Sequence, residues 1–467
     1  MPPKMHGRLL LPSLLALTAS ALLVAGCSSG SSTSSANAAK GPSFLIGTDA
    51  PLGSVTSFLV QVQSISATDS NNTTVQLLSS PATVDFARYN GLQTLLDLGN
   101  VPAGTYNSVS VTLGAATIGY LDTTVPGPPV IKTMPATITT PTTTATLSDP
   151  LVVTTGGAPM GLRVELNLYK SVQVDTTGQI TGVVSPVFRI ERVGDDDTGA
   201  HIDEFTAAVV SVNAGAQSFV VQGPHGTTIP VNVTAQTEWA NNATLNDLTS
   251  SSIVQISGKL DSTTLAIDAS EIAIVSQNGF YASGLVTYVN PASGPATSFD
   301  LYVRGLLPTN TGLTLGQIAT VDLSGSENFS IYWRHDMLSQ YVFNQSTLLP
   351  GQSISVGGPA SGAANASAVS VNRVVLHHWG FNGVVVPGSV NTSMGTFQMQ
   401  ITGFAGVLVP QTVTVYITNG TDFRDGWSGL SDLSDNAHVR VVGLLLKDPT
   451  SGATILVGHD VDDLENE

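Results

Sequence analysis

The sequence predicts an all-β protein: an N-terminal β-sandwich followed by three tandem five-stranded barrels of the oligonucleotide/oligosaccharide-binding type. Three observations predict it. Short apolar runs alternate with period two, as in Phe58, Val60, Val62 and again in Val109, Val111, Leu113, which is strand patterning. No stretch sustains an apolar stripe at helical spacing; Leu92, Leu95 and Leu96, between Gly91 and Leu98, allow one or two turns at most. A nine-residue pattern recurs three times with constant internal spacing in the second half of the chain, the mark of a repeated unit.

At 467 residues the chain exceeds what one core holds, so several domains are expected. Charged residues make up only 10% of it, so solubility rests on Ser, Thr, Asn, Gln and Gly, a balance that suits an exported β protein. The formal charge is -17, with 16 basic residues scattered among 33 acidic ones. Phosphate backbones are repelled by such a surface, which excludes nucleic acid as a partner. Cys27 is the sole cysteine, so no internal disulfide and no thiolate zinc cluster can form.

Residues 1–26 open with Lys4 and Arg8 and continue as an apolar run from Leu9 to Ala25, broken by Pro12, Ser13, Thr18 and Ser20. That is short for a membrane span and reads as a cleaved export signal. Val24-Ala25-Gly26-Cys27 resembles the bacterial lipobox. The resemblance implies cleavage before Cys27 and acylation of its thiol, palmitate included, with two or three chains giving a stable anchor. An uncleaved anchor helix, or an ordinary signal with a chance cysteine, is the alternative. Ser28 and Ser29 stand where a retention signal would place Asp, which resembles cargo of the outer membrane. Residues 27–42 are largely Ser, Ala, Gly, Thr and Asn and read as a flexible tether.

Residues 43–193 form the expected sandwich. Asp49-Ala50-Pro51, the strand Val55 to Ile65, Val84-Asp85 leading to Leu95-Leu96, Pro102-Ala103-Gly104-Thr105-Tyr106 before Val109 to Leu113, and Arg163 to Leu168 running into Lys170-Ser171-Val172 follow in order. Together they resemble the N-terminal domain of an uncharacterised family of bacterial lipoproteins. The resemblance implies a β-sandwich and an exported location, but no activity. In the Pro-Ala-Gly-Thr-Tyr turn, Pro102 presets φ, Gly104 permits positive φ and Tyr106 covers the core edge. Asp49 either caps its own turn or serves as a cation ligand. Thr137 to Asp149, rich in Thr, reads as an exposed excursion open to O-glycosylation.

Residues 194–204 read as an acidic joint. Asp195, Asp196, Asp197 and Asp203 offer oxygens to calcium, the one cofactor the sequence suggests, although EF-hand spacing is absent. A solvated interdomain joint is the alternative, and the acidic tail from Asp460 to Glu465 reads as a solvated terminus.

The repeats occupy residues 205–279, 280–380 and 381–467. Their shared pattern runs Val231 to Trp239, Val321 to Phe329 and Val415 to Phe423. Each copy follows two apolar strands and precedes an alternating strand ending at Gly258, Gly358 or Gly443, and a last strand closes the unit. These units also resemble repeats of unknown function in exported bacterial proteins. Trp239, Phe329 and Phe423 read as core plugs, with a ligand-stacking role as the alternative. The middle unit has a longer loop carrying Tyr332, Trp333 and Tyr341. These residues offer a stacking surface for a saccharide or peptide, unless the loop folds back over the barrel mouth.

No Gly-x-Ser-x-Gly elbow lies in a strand-to-helix setting. His377 and His378 are adjacent, so on a strand one is expected buried and one exposed. The sequence therefore points to a non-enzymatic binding or scaffold lipoprotein of the bacterial envelope, in the outer membrane. It is held by its lipid anchor and has envelope polysaccharide or protein as partner. An extracellular carbohydrate-active hydrolase or a calcium-stiffened adhesin is the alternative.

Overall fold

The structure is a computed structural model. It describes residues 39–50, 55–89, 92–122, 130–176, 179–193, 201–261, 264–308, 311–332, 341–359, 368–402, 408–409, 412–424 and 426–464. Cys27, Asp195, Asp196, Asp197 and Trp333 lie outside these residues. Among the described residues no helix is long and apolar enough to cross a membrane.

Two facing sheets make the N-terminal domain. One carries β1 (Lys40–Ala50), β5 (Thr94–Pro102), β9 (Met160–Asn167) and β12 (Phe188–Val193) in the order β12-β9-β1-β5. The other runs β10 (Val172–Val174), β11 (Ile180–Val184), β7 (Val130–Ile138), β6 (Gly104–Asp122), β2 (Val55–Asp69), β3 (Thr74–Gln76), with β4 (Ala82–Asp85) on β2 and β8 (Thr142–Val153) on β6. The period of two explains the layering: Phe58, Val60 and Val62 of β2 are buried while Gln61 and Gln63 face solvent. Val109 and Val111 of β6 meet Leu162, Val164 and Leu166 of β9 in one core.

Three local expectations change. The Leu92 to Leu98 segment is strand β5 from Thr94 onward, because both faces are covered and pairing with β1 satisfies its backbone. The Thr-rich stretch is no excursion: Thr137 lies in β7, and Thr142 to Asp149 lie in β8. Ser110 pairs with Thr144 at 2.7 Å and Thr112 with Thr142 at 3.0 Å across β6 and β8, cross-strand contacts that suit threonine. Gly104 is outside the left-handed region. A Cβ there would touch the Tyr106 ring only at an ordinary contact distance of 3.4 Å, and the Tyr106 hydroxyl donates to the Pro102 carbonyl at 2.7 Å. Asp49 pairs through its backbone with Leu166.

The three barrels share one topology. Their first strands are β13 (His201–Asn213), β19 (Gly279–Asn290) and β26 (Trp379–Val385); their second β14 (Ser218–Gln222), β20 (Ser298–Leu307) and β27 (Thr396–Ile401). Third strands are β15 (Thr228–Asn232), β21 (Ile318–Asp322) and β28 (Thr412–Phe423); fourth β17 (Ile253–Leu260), β23 (Ser353–Pro359) and β29 (His438–Lys447). The fifth is β18 (Ile267–Ser276) in barrel 1, the broken pair β24 (Ala368–Ser370) and β25 (Arg373–His377) in barrel 2, and β30 (Thr454–Asp463) in barrel 3. In every unit strand 3 pairs parallel with strand 5, and strand 4 lies antiparallel between strands 5 and 1. That is the ring order 1-2-3-5-4-1 of the oligonucleotide/oligosaccharide-binding barrel.

The recurring nine residues have a common geometry. Thr237 and Thr421 accept from the backbone N–H of Thr234 and Thr418, each at 2.9 Å, and Glu327 accepts from Ser324 in the same way. Trp239, Phe329 and Phe423 then pair in parallel with strand 5 at Ile272, Val374 and Val461, each half-buried against its own barrel core. The glycines of strand 4 serve close approach: a Cβ on Gly258, Gly358 or Gly443 would stand 2.3, 2.6 or 2.2 Å from a strand 5 carbonyl oxygen.

From Ala39 to Glu467 the chain forms a single unit, and its cores merge across domains. Phe44, Ile46 and Leu95 of the sandwich join the core of barrel 1. Leu444, Leu446, Ile455 and Val457 of barrel 3 join barrel 2, and Tyr281 and Tyr332 of barrel 2 pack on Ala273 and Val275 of barrel 1.

Candidate functional site

Polar residues from all four domains meet in one buried junction. The sequence of β13 explains how barrel 1 contributes. Its pairing with β17 slips between Ile202 and Phe205, and Glu204 stands at φ 48°, a left-handed conformation that costs a non-glycine residue energy. In a regular strand Asp203 and Glu204 would face opposite sides; the bulge turns both carboxylates inward.

Asp203 uses both oxygens: Oδ1 lies 3.0 Å from His201 Nε2, and Oδ2 accepts from the Gln93 backbone N–H at 3.0 Å. Glu204 Oε1 lies 3.3 Å from His377 Nδ1 and 3.9 Å from His378 Nδ1. The two histidines are both buried, at 2% and 6% exposure. The expected split fails because both rings are covered: His377 lies tilted against Tyr332 of its own barrel at 5.2 Å, and His378, past the end of β25, lies 5.8 Å from the parallel ring of His459 in barrel 3. Asp460 completes this side, 3.0 Å from His459 Nδ1 and 3.1 Å from Arg424. The acidic tail is therefore no solvated terminus, since Asp460, Asp462 and Asp463 are buried in β30.

The charges order themselves by burial and partners. Burial works to raise the Asp203 carboxyl, but His201, His378 and the Gln93 N–H outweigh it and hold it at about 2. Burial likewise opposes ionisation of Glu204 and Asp460, yet His377, His378 and Arg88 on the first and His459 and Arg424 on the second keep both lowered. His201 and His459 resist the lowering effect of burial through Asp203 and Asp460 and are raised. His378 is lowered, chiefly by burial.

Arg88 follows β4 on a short turn, Phe86–Tyr89, and its Nη2 lies 3.5 Å from the Tyr281 hydroxyl. Arg304 of β20 donates to the Thr56 carbonyl of the sandwich and stacks over Trp379 at 4.5 Å. Between them opens a cleft with about 20 Å³ of room, walled by Arg88, Glu204, Ser283, Arg304, His377 and Trp379.

One chain of contacts has the connectivity of a hydrolytic triad. Ser355 Oγ lies 2.7 Å from His377 Nε2, and His377 Nδ1 faces Glu204. Its protons run the other way. Gln255 donates through Nε2 to the Tyr281 hydroxyl at 3.1 Å, so its Oε1 accepts from Ser355 at 3.0 Å. The serine proton is thus committed to Gln255, and His377 Nε2 must donate to Ser355 rather than receive from it. A nucleophilic serine needs the opposite arrangement and an approach for substrate, whereas Ser355 is fully buried in the middle of β23.

Tyr332 offers no stacking face: it is fully buried and donates to Ser257 Oγ at 3.0 Å, with the Glu271 carbonyl at 3.2 Å. Tyr341 is half-buried against the barrel 2 core, where Phe343 and Leu348 of the longer loop are buried and Phe343 meets Phe329 edge-on at 5.4 Å. Among the described residues no group of three or more His, Cys, Asp or Glu is arranged to hold a metal ion.

Sequence reasoning missed Arg88, Arg304, Arg440, Ser355 and Gln255. The readable signal was a charge inside an apolar strand: Arg304 follows Leu301-Tyr302-Val303, and Arg440 sits between Val439 and Val441.

No curated protein matches this chain. Among solved structures, the chain titled "drosophila Unr CSD456" shares 7% identity, with 54% of this chain and 94% of that chain covered and a TM-score of 0.14. Residues 45–183, most of the sandwich, match the model of the Domain of unknown function DUF4382.

Proposed function

We propose that the protein is a lipid-anchored, non-enzymatic binding or scaffold protein of the bacterial envelope, acylated at Cys27, with envelope polysaccharide or protein as its partner. The observation that carries this reading is the shared junction. Glu204 of barrel 1, Arg88 of the sandwich, and His377 and Trp379 leading into barrel 3 contribute to one buried cleft, so the domains hold constant positions and present their outer faces as a rigid array. The closed Ser355–His377–Glu204 chain favours the same reading, because its proton arrangement and burial suit structure rather than acyl transfer.

Metabolic labelling of the full chain in a bacterial host tests the anchor. Palmitate label in the membrane fraction, lost in Cys27→Ser, supports it; unlabelled wild-type protein overturns it. Pull-down of the labelled protein against isolated envelope polysaccharides and envelope proteins tests the partner class, and retention of neither removes the binding reading.

A further inference from the structure

We propose that the outer face of the second sandwich sheet, on β2, β3, β6 and β8, binds a neutral, extended polysaccharide. This names the surface and the glycan class for the envelope-polysaccharide reading above and rests on that reading.

Register ranks the outward side chains into rows that run across the strands. Thr74, Thr68, Ser108 and Thr146 stand in the first row, one per strand. Gln76, Ser66, Ser110 and Thr144 make the second, and Ser64, Thr112 and Thr142 the third. Residues between the rows, such as Ile65, Val109 and Val111, point into the core. The outer columns on β3 and β8 are exposed, and those on β2 and β6 are half-buried between them, apart from the closed-in Ser66.

Two features keep this face level and open to hydrogen bonding. Neighbouring hydroxyls hold one another: Thr68 with Thr74 at 3.0 Å, Ser110 with Thr144 at 2.7 Å and Thr112 with Thr142 at 3.0 Å. Each such pair shares one proton between its two oxygens, so one O–H and several lone pairs still serve a partner. One row further along β6, Gly114 carries no side chain, and Gln61 and Gln63 lie across it. A Cβ there would stand 2.8 Å from Gln61 Oε1 and 2.7 Å from Gln63 Nε2.

Chemistry selects the partner. The rows hold no charge and no aromatic or large apolar side chain, so they lack the buried anchors that a protein interface needs. A polyanionic glycan would meet a chain of formal charge -17, with no cation in these rows to offset it. A neutral glycan meets no such repulsion, and its ring hydroxyls both donate and accept, as the rows do. Spacing fits as well. Strands lie about 4.8 Å apart, close to the advance of one pyranose in an extended glycan, so a chain laid along a row meets one side chain per sugar. Individually weak hydrogen bonds then add along the row.

Co-sedimentation of the full chain, in a polyoxyethylene detergent, with amorphous cellulose and with insoluble polygalacturonate tests the surface. The wild-type protein is expected to sediment with cellulose alone. Thr142→Val combined with Thr144→Val removes two exposed hydroxyls while keeping the β-branched shape. It is expected to raise the half-saturating cellulose concentration about tenfold or more. Thr144→Lys, a solvent-facing change, carries the same test if the double variant does not fold, and Thr144→Ser is expected to bind as wild type. Equal binding by wild type and both weakened variants overturns this face and leaves the polysaccharide reading standing. Failure of the wild-type protein to bind cellulose, whether or not polygalacturonate or an envelope protein is bound instead, overturns the proposal. The pull-down against isolated envelope polysaccharides and proteins then shows whether the wider reading falls with it.

Discussion

Arg440 Nε lies 2.8 Å from Asp462 Oδ2 across β29 and β30, with the two side chains 8% and 1% exposed. The residues are direct cross-strand partners, so the ion pair is set by register. Asp462→Asn keeps the shape and removes the charge, leaving the buried guanidinium without this carboxylate. The expected cost is about 3 kcal/mol, read from the urea midpoint at unchanged slope. An apolar replacement of both residues is expected to recover much of that loss.

Ser355 links Gln255 to His377 inside the junction. Ser355→Ala leaves two buried polar atoms without that hydroxyl, and the expected destabilisation is about 1–3 kcal/mol. A fluorophosphonate probe is expected to leave the wild-type protein unmodified. A mass increase mapping to Ser355 would show that the hydroxyl is reachable and activated.

The junction predicts an acid limb of instability. Asp203, held at about 2 against an ordinary 3.8, contributes about 2 kcal/mol. That contribution is fully present above 3.8 and disappears as pH falls toward 2; Glu204 and Asp460, also lowered, act in the same direction. His201 and His459, raised above 6.5, stabilise below that value and lose their contribution as pH climbs through their folded values, while the lowered His378 opposes them. Melting temperature is therefore expected to fall steeply below the carboxylate range and more gently above 6.5. Asp203→Asn should flatten the acid limb in a pH series of melting curves.

Close approach of strands predicts sensitivity at a surface-remote glycine. A methyl on Gly443 would stand 2.2 Å from the Val457 carbonyl oxygen, so Gly443→Ala must push β29 away from β30. The expected cost is about 1–3 kcal/mol, measured by denaturant titration. An unchanged midpoint would mean that the strands separate freely at that point.

Much of this architecture was legible because it depends on local periodicity. Phe58, Val60 and Val62 alternate with Gln61 and Gln63, and the structure buries the first set and exposes the second. The repeat from Val231 to Trp239 was visible because its Thr234–Thr237 contact is local and recurs at Thr418 and Thr421. Leu92, Leu95 and Leu96 were ambiguous, since a short apolar run buried on both faces has no period to read. The junction was illegible for a different reason. Glu204 meets His377, and Arg440 meets Asp462, only through tertiary pairing, and no spacing in the chain encodes those meetings. Asp460 and Asp462 read as solvated because their neighbours are acidic, yet their partners arrive from β29 and from Arg424.

In each barrel the parallel seam joins strand 3 to the strand made last. During synthesis, then, no ring can shut until its final segment has emerged, and the three units must complete one after another. Glu204 is made early but meets His377 and His378 only once the second barrel's closing strand exists, so the junction cannot assemble before that strand is made.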